Sequence, residues 1–353
     1  MTVATAVMGA SGFLGGELVR LLQRHPDFEL EVVAARRAAG RAVPDVHPHL
    51  RDCRLRFENA APADVVRRAR LVFLATPAEV SARLAGELLD AGAEAVVDLS
   101  PAYRLCDRAE HCRWYGHAER DETLAREAVY GLPELFRERM VGAALIAAPG
   151  CFATATTLAL LPLGELGIDP GAVAVDAKSG STGSGATPRT SGMHSLRAQV
   201  MRPYAPVGHR HVPEVAQSLR AAGIASNGGL RLGMSAYAVD AVRGLLSSAY
   251  LFVDEGLSPV AIRRAVQATY RDEPFVRGVG RPGQGVPHPD PRILLGSNFC
   301  DVGGFYDEDA GRLILIAALD NMVKGGACQA LQAANVRFGL PETSGLDAQT
   351  VYP

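Results

Sequence analysis

The first 35 residues leave few folds open. Val3 to Met8 is an unbroken apolar run, Gly9-Ala10-Ser11-Gly12-Phe13-Leu14-Gly15-Gly16 follows it, residues 17–24 read as helical, and residues 30–35 are again extended and apolar. Strand, tight turn, helix and second strand in that order make a βαβ unit, and its two strands must run parallel because the helix carries the chain back across the sheet. A parallel sheet is covered on both faces, so its strands appear as continuous apolar runs rather than alternating ones. Three further runs of this kind occur, residues 71–75 ending in Thr76-Pro77, 95–99 ending in Ser100-Pro101, and 144–148 ending in Pro149-Gly150. Their spacing predicts an α/β fold with a Rossmann-type domain over residues 1–150.

Beyond that point the pattern changes. Residues 172–177, 230–239, 246–253 and 313–319 look strand-like and 258–271 helical, which predicts a second, α+β domain over 151–320. A last helix over about 321–338 is expected to return, with the rest of 321–353, to the first domain. At 353 residues, 48% of them hydrophobic, the chain is long enough for two such cores.

Several classes are disfavoured. A formal charge of −2 gives no chain-wide footprint for nucleic acid, so any basic site is local. Residues 140–163 carry no charged side chain and are long enough to cross a bilayer, but Pro149-Gly150 breaks them into a strand and a buried helix. No basic residue precedes Arg20, so neither an export signal nor a membrane anchor is expected. The six cysteines, Cys53, Cys106, Cys112, Cys151, Cys300 and Cys328, contain no Cys-x-x-Cys pair and read as reduced thiols in a cytoplasm. Cys106, His111, Cys112 and His117 lack zinc-finger spacing, so no metal is expected.

Candidate site residues fall in four places. Gly9, Gly12 and Gly15 allow a tight bend and bring backbone N–H groups to a diphosphate at a helix N-terminus. After Ala35 at the end of the second strand, where an NAD site would carry an acidic residue, stand Arg36 and Arg37; two guanidiniums suit the 2′-phosphate of NADP, and two solvated surface arginines are the plainer reading. Ligands in such sheets sit beyond the carboxyl ends of the strands, which predicts one crevice shared by the glycine turn, Thr76, Pro77, Tyr103, Arg104 and Cys151. Cys151, in Ala148-Pro149-Gly150-Cys151-Phe152, heads an apolar helix whose positive end favours a thiolate; a merely buried thiol is the alternative.

The fourth place is an acid-free stretch. Between Asp176 and Glu214 there is no Asp or Glu, yet Lys178, Arg189, Arg197, Arg202, Arg210, His194, His209 and His211 all occur. Together with the Gly- and Ser-rich run around Ser181 it suits an anionic ligand, although a solvated loop reads equally well from charge alone. Tyr204 is the one aromatic residue among these charges, a poor match to single-stranded nucleic acid. Gly208-His209-Arg210-His211-Val212-Pro213-Glu214 supplies imidazoles for proton transfer near neutral pH, with Glu214 spaced to orient His211.

Taken together, these segments resemble the NADPH-dependent N-acyl-amino-acyl-phosphate reductases, relatives of aspartate-semialdehyde dehydrogenase, over nearly the whole chain. The resemblance rests on GASGFLGGE at 9–17, GLPEL at 131–135, PGCFATATTLALLPL at 149–163, GHRHVPE at 208–214 and LDNMVKG at 319–325. One branch of these enzymes reduces N-acetyl-γ-glutamyl phosphate in arginine synthesis; the other reduces acyl phosphates held on a small acidic amino-group carrier protein in lysine synthesis. Residues 36–52, 202–211 and 287–304 resemble the carrier-protein branch. Departures are Pro101-Ala102-Tyr103-Arg104, where the family often has Ala-Asp-Phe-Arg, and residues 178–191, which match neither branch.

The resemblance implies a Rossmann-type NADP domain joined to a catalytic and dimerisation domain, assembled as a homo-oligomer (dimer or tetramer). It implies that Cys151 takes up the acyl group as a thioester, that His211 (with His209 second) handles the proton, and that Glu214 orients the imidazole. Ser11, Gly12, Phe13, Leu14, Arg36, Arg37 and Asn321 would touch the cofactor, and Arg104, Ser181, Arg202 and Arg210 the phosphate or carboxylate groups. Two competing readings are a short-chain-type carbonyl reductase, which would need a Tyr-x-x-x-Lys pair that the chain lacks, and a non-enzymatic NADPH-sensing protein.

Overall fold

The computed structural model describes residues 2–116, 119–225, 229–253, 256–280, 283 and 285–350. The chain divides into a unit of Met1–Pro149, Gly185–Thr187 and Gly326–Ala348 and a unit of Gly150–Ser184, Pro188–Gly325 and Gln349–Pro353.

In the first unit, β1 (Val3–Met8), β2 (Phe28–Ala34), β3 (Leu71–Leu74), β4 (Ala95–Asp98), β5 (Val129–Tyr130) and β6 (Leu145–Ala147) form one sheet in the order β2-β1-β3-β4-β6-β5. All its pairings are parallel. Val72, Leu74, Val96 and Ala147 lie in the core with side chains of the Ala78–Asp90 helix, among them Ala82, Ala85 and Leu88. The two-residue β5 is too short to show a period and was not expected. The first helix is Phe13–Leu22 rather than 17–24. It starts early because Gly12 takes the N-cap in an extended conformation, and because Gly15 and Gly16 are wanted inside it: a Cβ on Gly15 would lie 2.4 Å from the Gly9 carbonyl oxygen, and one on Gly16 would lie 2.5 Å from the His47 ring. Close packing there outweighs the roughly 1 kcal/mol that each helical glycine costs.

The returning helix is also reshaped. A π-helical turn, Val323–Ala327, precedes the α-helix Cys328–Arg337. Within the first unit this helix is tied down by Gln329 Nε2 donating to Gly131 O (2.9 Å), Arg337 Nε donating to Ala143 O (2.6 Å) and a 3.1 Å bond between Asn335 Oδ1 and His25 Nε2.

The second unit holds a seven-stranded mixed sheet of β7 (Ala172–Ser179), β8 (Met201–Ala205), β9 (Arg231–Val239), β10 (Leu245–Phe252), β11 (Val276–Gly278), β12 (Cys300–Asp307) and β13 (Arg312–Leu319), in the order β11-β12-β13-β10-β7-β9-β8. Strand β12, Cys-Asp-Val-Gly-Gly-Phe-Tyr-Asp, has poor strand propensity and was not expected; pairing on both sides holds it. Its Gly304 admits the Pro259–Thr269 helix, since a Cβ there would lie 2.4 Å from Ile262 Cγ2. Edge strand β8 contains Pro203, which an edge tolerates. The Cys151–Leu160 helix is buried from Phe152 onward, and it is pinned by Thr156 Oγ1 to Ser247 Oγ (2.8 Å) and by Tyr270 Oη donating to Leu158 O. No helix among the described residues is long and apolar enough to cross a membrane.

Candidate active site

In the first unit the glycine turn is shaped by backbone. Gly9 has φ +82°, and a Cβ on it would lie 2.4 Å from the Ala75 carbonyl oxygen. The Gly9 and Ala10 N–H groups both donate to Ala34 O, at 2.8 and 3.1 Å, which fastens the turn to the end of β2. Helix Phe13–Leu22 opens directly after it with no acidic residue in its first turn, so its positive end is unopposed from within. Phe13 is exposed, while Ser11, Gly12 and Leu14 are half-buried. Past β3, Thr76 Oγ1 bonds Ser81 Oγ at 2.7 Å and Pro77 caps the Ala78–Asp90 helix.

Arg36 and Arg37 follow buried Ala35 on a short 3-10 turn. Both are exposed, and neither has an ion pair among the described residues. A glycine cradle that a Cβ would fill, an unopposed helix end and two unpaired guanidiniums fit a dinucleotide bearing a 2′-phosphate. His47 supports this turn and was not anticipated: its Nε2 bonds Ala10 O at 2.8 Å while its ring covers Gly16. Burial pushes its pKa down, so the ring stays neutral and Nε2–H is the donor. It lies too far along the chain from Ala10 for any local pattern to connect them.

Arg104 is buried, and it donates from Nε to Ala148 O and from an NH2 to Leu99 O, both at 2.7 Å. Through these two bonds it clips together the ends of β4 and β6, because both carbonyls lie just past the last ladder bonds of those strands. Beside it, burial lifts the Asp98 carboxyl to about 6 against the opposing pull of Ser100, Ser81 and Arg104.

In the second unit Cys151 is the first residue of its helix and is half-buried, with Gly150 as N-cap. The Gly150 N–H donates to Glu214 Oε2 at 3.0 Å, and the fully buried Glu214 holds Oε1 3.9 Å from His211 Nε2, inside ion-pair range and beyond a hydrogen bond. The His211 ring sits on Gly150 so closely that a Cβ there would lie 2.4 Å from Nε2. On another side Gly325 approaches the nucleophile candidate, and a Cβ on it would lie 2.8 Å from Cys151 Cβ.

His209 occupies the next place. Its ring stands edge-to-face with His211 (4.8 Å between centroids) and Phe152 (5.2 Å). Its Nδ1 accepts the His211 N–H at 3.2 Å, and its Nε2 lies 3.3 Å from Tyr204 Oη. Burial first, then the Arg210 charge, bring its pKa down to about 4, with Glu214 opposing. His209 is therefore neutral at physiological pH and acts as scaffold for the loop that carries His211.

The structure thus gathers Cys151, His209, His211 and Glu214. Ser181 lies in the Ser181–Ser184 turn, with its N–H donating to Ala241 O at 2.8 Å; Arg202 is half-buried on β8, and Arg210 is exposed. Asn321, expected at the cofactor, uses Oδ1 to accept from Gly244 N–H and Nδ2 to donate to Thr182 Oγ1, each at 2.9 Å, so within its unit it ties two loops together. Gly150, Gly325 and Tyr204 were not anticipated as site residues. His111 is buried beside Tyr115, and His117 lies outside the described residues.

Family models described as "Semialdehyde dehydrogenase, NAD binding domain" and "Semialdehyde dehydrogenase, dimerisation domain" match residues 4–143 and 151–321. The LysW-L-2-aminoadipate 6-phosphate reductase of Thermomicrobium roseum is 41% identical over 359 residues, spanning 100% of both chains. The LysW-L-2-aminoadipate/LysW-L-glutamate phosphate reductase of Pyrococcus horikoshii is 42% identical over 352 residues, 99% of each chain. The chain belongs to this family of phosphate reductases. As a phosphate reductase of semialdehyde dehydrogenase type it is an oxidoreductase, and the short-chain and non-enzymatic readings fall. Solved structures agree on the fold expected from the sequence. Aspartate semialdehyde dehydrogenase II of Vibrio cholerae matches with TM-score 0.69 at 15% identity, covering 95% of this chain and 98% of that one. The Candida albicans enzyme, solved with NADP, matches with TM-score 0.69 at 16% identity and the same coverage.

Proposed function

We propose that this phosphate reductase uses NADPH to reduce an acyl phosphate, L-2-aminoadipate 6-phosphate or L-glutamate 5-phosphate on a small acidic carrier protein, to the semialdehyde with release of phosphate. One observation carries the reading: the end-to-end identity of 41–42% with reductases named for LysW-bound substrates. The cluster at Cys151 supports the chemistry.

In this proposal the Cys151 thiolate, favoured by the helix end, attacks the acyl carbon; the C–S bond forms, the C–O bond to phosphorus breaks, and phosphate leaves with the electron pair. Gly9, Ser11, Gly12, Phe13, Leu14, Gly15, Thr76, Pro77 and the Arg36–Arg37 pair would hold the dinucleotide, which when bound would supply the hydride that takes the thioester to the aldehyde level. His211 receives the thiol proton as the thiolate forms and returns one to the alkoxide oxygen; when the thiohemiacetal collapses, the hydroxyl proton passes back to His211 as the C=O bond forms, the C–S bond breaks and its electron pair restores the thiolate. Glu214 holds the His211 ring over Gly150 and stabilises its cation. Arg104, Ser181, Arg202 and Arg210 contact the phosphate or carboxylate of the substrate.

The basic residues of 177–213 also steer the acidic carrier toward the site. The second unit, which a dimerisation-domain model covers, builds a homo-oligomer, and the six free cysteines suit a reducing cytoplasm. The test compares NADPH-dependent reduction of carrier-bound aminoadipyl phosphate, carrier-bound glutamyl phosphate and free N-acetylglutamyl phosphate. Turnover confined to the carrier-bound pair, weakening as salt rises, is expected; exclusive use of the free acetylated substrate overturns the reading.

A further inference from the structure

We infer that Asp320 is a positioning residue for Cys151: it closes a π-type turn that sets Gly325, rather than a residue with a side chain, against the Cβ of the nucleophile. That Cys151 is the nucleophile rests on the reaction proposed above; the seating of its side chain does not.

The turn is built around one residue. Gly325 N–H donates to Asp320 O at 2.9 Å, a bond that spans five residues where an α-helix spans four. Val323 N–H shares the same carbonyl at 3.2 Å. The Asp320 carboxylate serves the same turn from a fully buried place. Its Oδ1 accepts Met322 N–H and its Oδ2 accepts Gly296 N–H, each at 2.8 Å, and Arg243 stands 3.5 Å from Oδ2. Buried N–H groups that depend on one carboxylate fix the chain path around it, because leaving either unpaired is costly. Both flanks are anchored as well. Leu319, the last residue of β13, pairs with Leu245 on one side and Cys300 on the other, and Asn321 accepts Gly244 N–H at 2.9 Å.

The chain path matters for what it brings to Cys151. A Cβ on Gly325 would lie 2.8 Å from Cys151 Cβ and 3.1 Å from Leu319 Cδ1. Gly325 is not among the glycines with positive φ, so the contact and not the backbone requires it. If the turn tightened to the α-helical ring, the bond to Asp320 O would pass to Lys324 N–H, and Lys324 would take the place of Gly325 beside Cys151. The π-type turn keeps that long side chain elsewhere, fully buried with Nζ 5.8 Å from the centre of the Phe275 ring. Asp320 therefore selects the residue that backs the thiol, and with it the room in which the Cys151 side chain can turn.

Alkylation of Cys151 by iodoacetamide in the full-length enzyme, without substrate or dinucleotide and with Cys151→Ser as the blank, reads this seating. It is followed well above the thiol midpoint, where every thiol is ionised and the charge lost at position 320 does not set the thiolate fraction. Asp320→Asn keeps the size of the side chain but meets two N–H donors with one acceptor oxygen, and Gly325→Ala adds the excluded methyl group without touching the carboxylate. Each should slow the plateau rate at least roughly threefold and lower kcat per titrated thiol roughly 10- to 100-fold, with KM for the acyl phosphate within about twofold. A merely structural aspartate would lower the thermal midpoint and the number of reactive thiols but leave both rates per thiol unchanged, and that result in Asp320→Asn overturns the inference. A Gly325→Ala enzyme with both rates intact overturns it too, and decides the matter even where Asp320→Asn does not fold. Because no acyl phosphate enters the alkylation assay, an enzyme that reduces none of them while its plateau rate still falls in both variants would sink the proposed reaction and leave the seating of Cys151 standing.

Discussion

The turn at Gly9 and the turn at Gly150 both deliver an apolar strand into a helix N-terminus, and different neighbours shape them. At Gly9 the excluded atom is backbone, the Ala75 carbonyl oxygen, and φ is +82°. At Gly150 the backbone is ordinary, φ −72° and ψ 145°, and what a Cβ would strike is an imidazole. The first glycine is a demand of the fold, since any side chain there pushes one main chain off another. The second is a demand of the chemistry, since a side chain there leaves the chain path intact and evicts His211.

The strongest way to break that contrast is at the sulfur itself. Cys151→Ser should lower reductase turnover by at least about 10³-fold while the thermal midpoint hardly moves; retention of turnover would remove the thiolate from the mechanism. Next comes the paired substitution Gly9→Ala and Gly150→Ala. Gly9→Ala should destabilise the fold by roughly 3 kcal/mol or more in a denaturant titration, from a backbone clash plus a left-handed φ. Gly150→Ala should keep nearly all of its stability and lose about 10²-fold in kcat, and equal losses of stability in both would erase the distinction.

Smaller effects sharpen it. Replacing Arg36 and Arg37 together by Ala should raise KM for NADPH roughly 10- to 100-fold and leave NADH kinetics almost unchanged, because only one of the two carries a 2′-phosphate. The smallest effect is a pH dependence of stability. His209 and His111, one in each unit, have folded pKa values of about 4 against 6.5 unfolded. The unfolded chain therefore binds more protons between these values, and the stability present above pH 6.5 is lost as pH falls toward 4. Asp98 works the other way: lifted from 3.8 to about 6, it favours the folded state at low pH and loses that contribution as pH rises through 6. His209→Gln should flatten the acid limb of a thermal-midpoint curve, and an unchanged limb would show that the imidazole is already protonated in the fold.

The same contrast explains what could be read from the sequence. The glycine turn is local, its three glycines and following helix lie within a few residues, and the turn and the two arginines are visible without a structure. The thiol at a helix mouth and the imidazole pair are visible for the same reason. Gly150, Gly325 and His47 were not recognisable because the partner that gives each its meaning lies far away in the chain: His211 for Gly150, Cys151 for Gly325, Ala10 for His47. Strand β12 escaped because its register is imposed by β11 and β13, whereas its own glycines and aspartates argue against a strand. The resemblance implies an anion contact for Arg104, and only the fold reveals that it also donates to two strand-end carbonyls.

The seat of His211 on Gly150 also orders the history open to this chain. While residue 211 is an imidazole, position 150 cannot gain even a methyl group without displacing it. Drift at 150 becomes permissible only after 211 has changed. A descendant that has abandoned catalysis would record its losses in that sequence, the histidine first and the glycine afterwards, and a lineage with a larger residue at 150 beside an intact histidine at 211 should not persist.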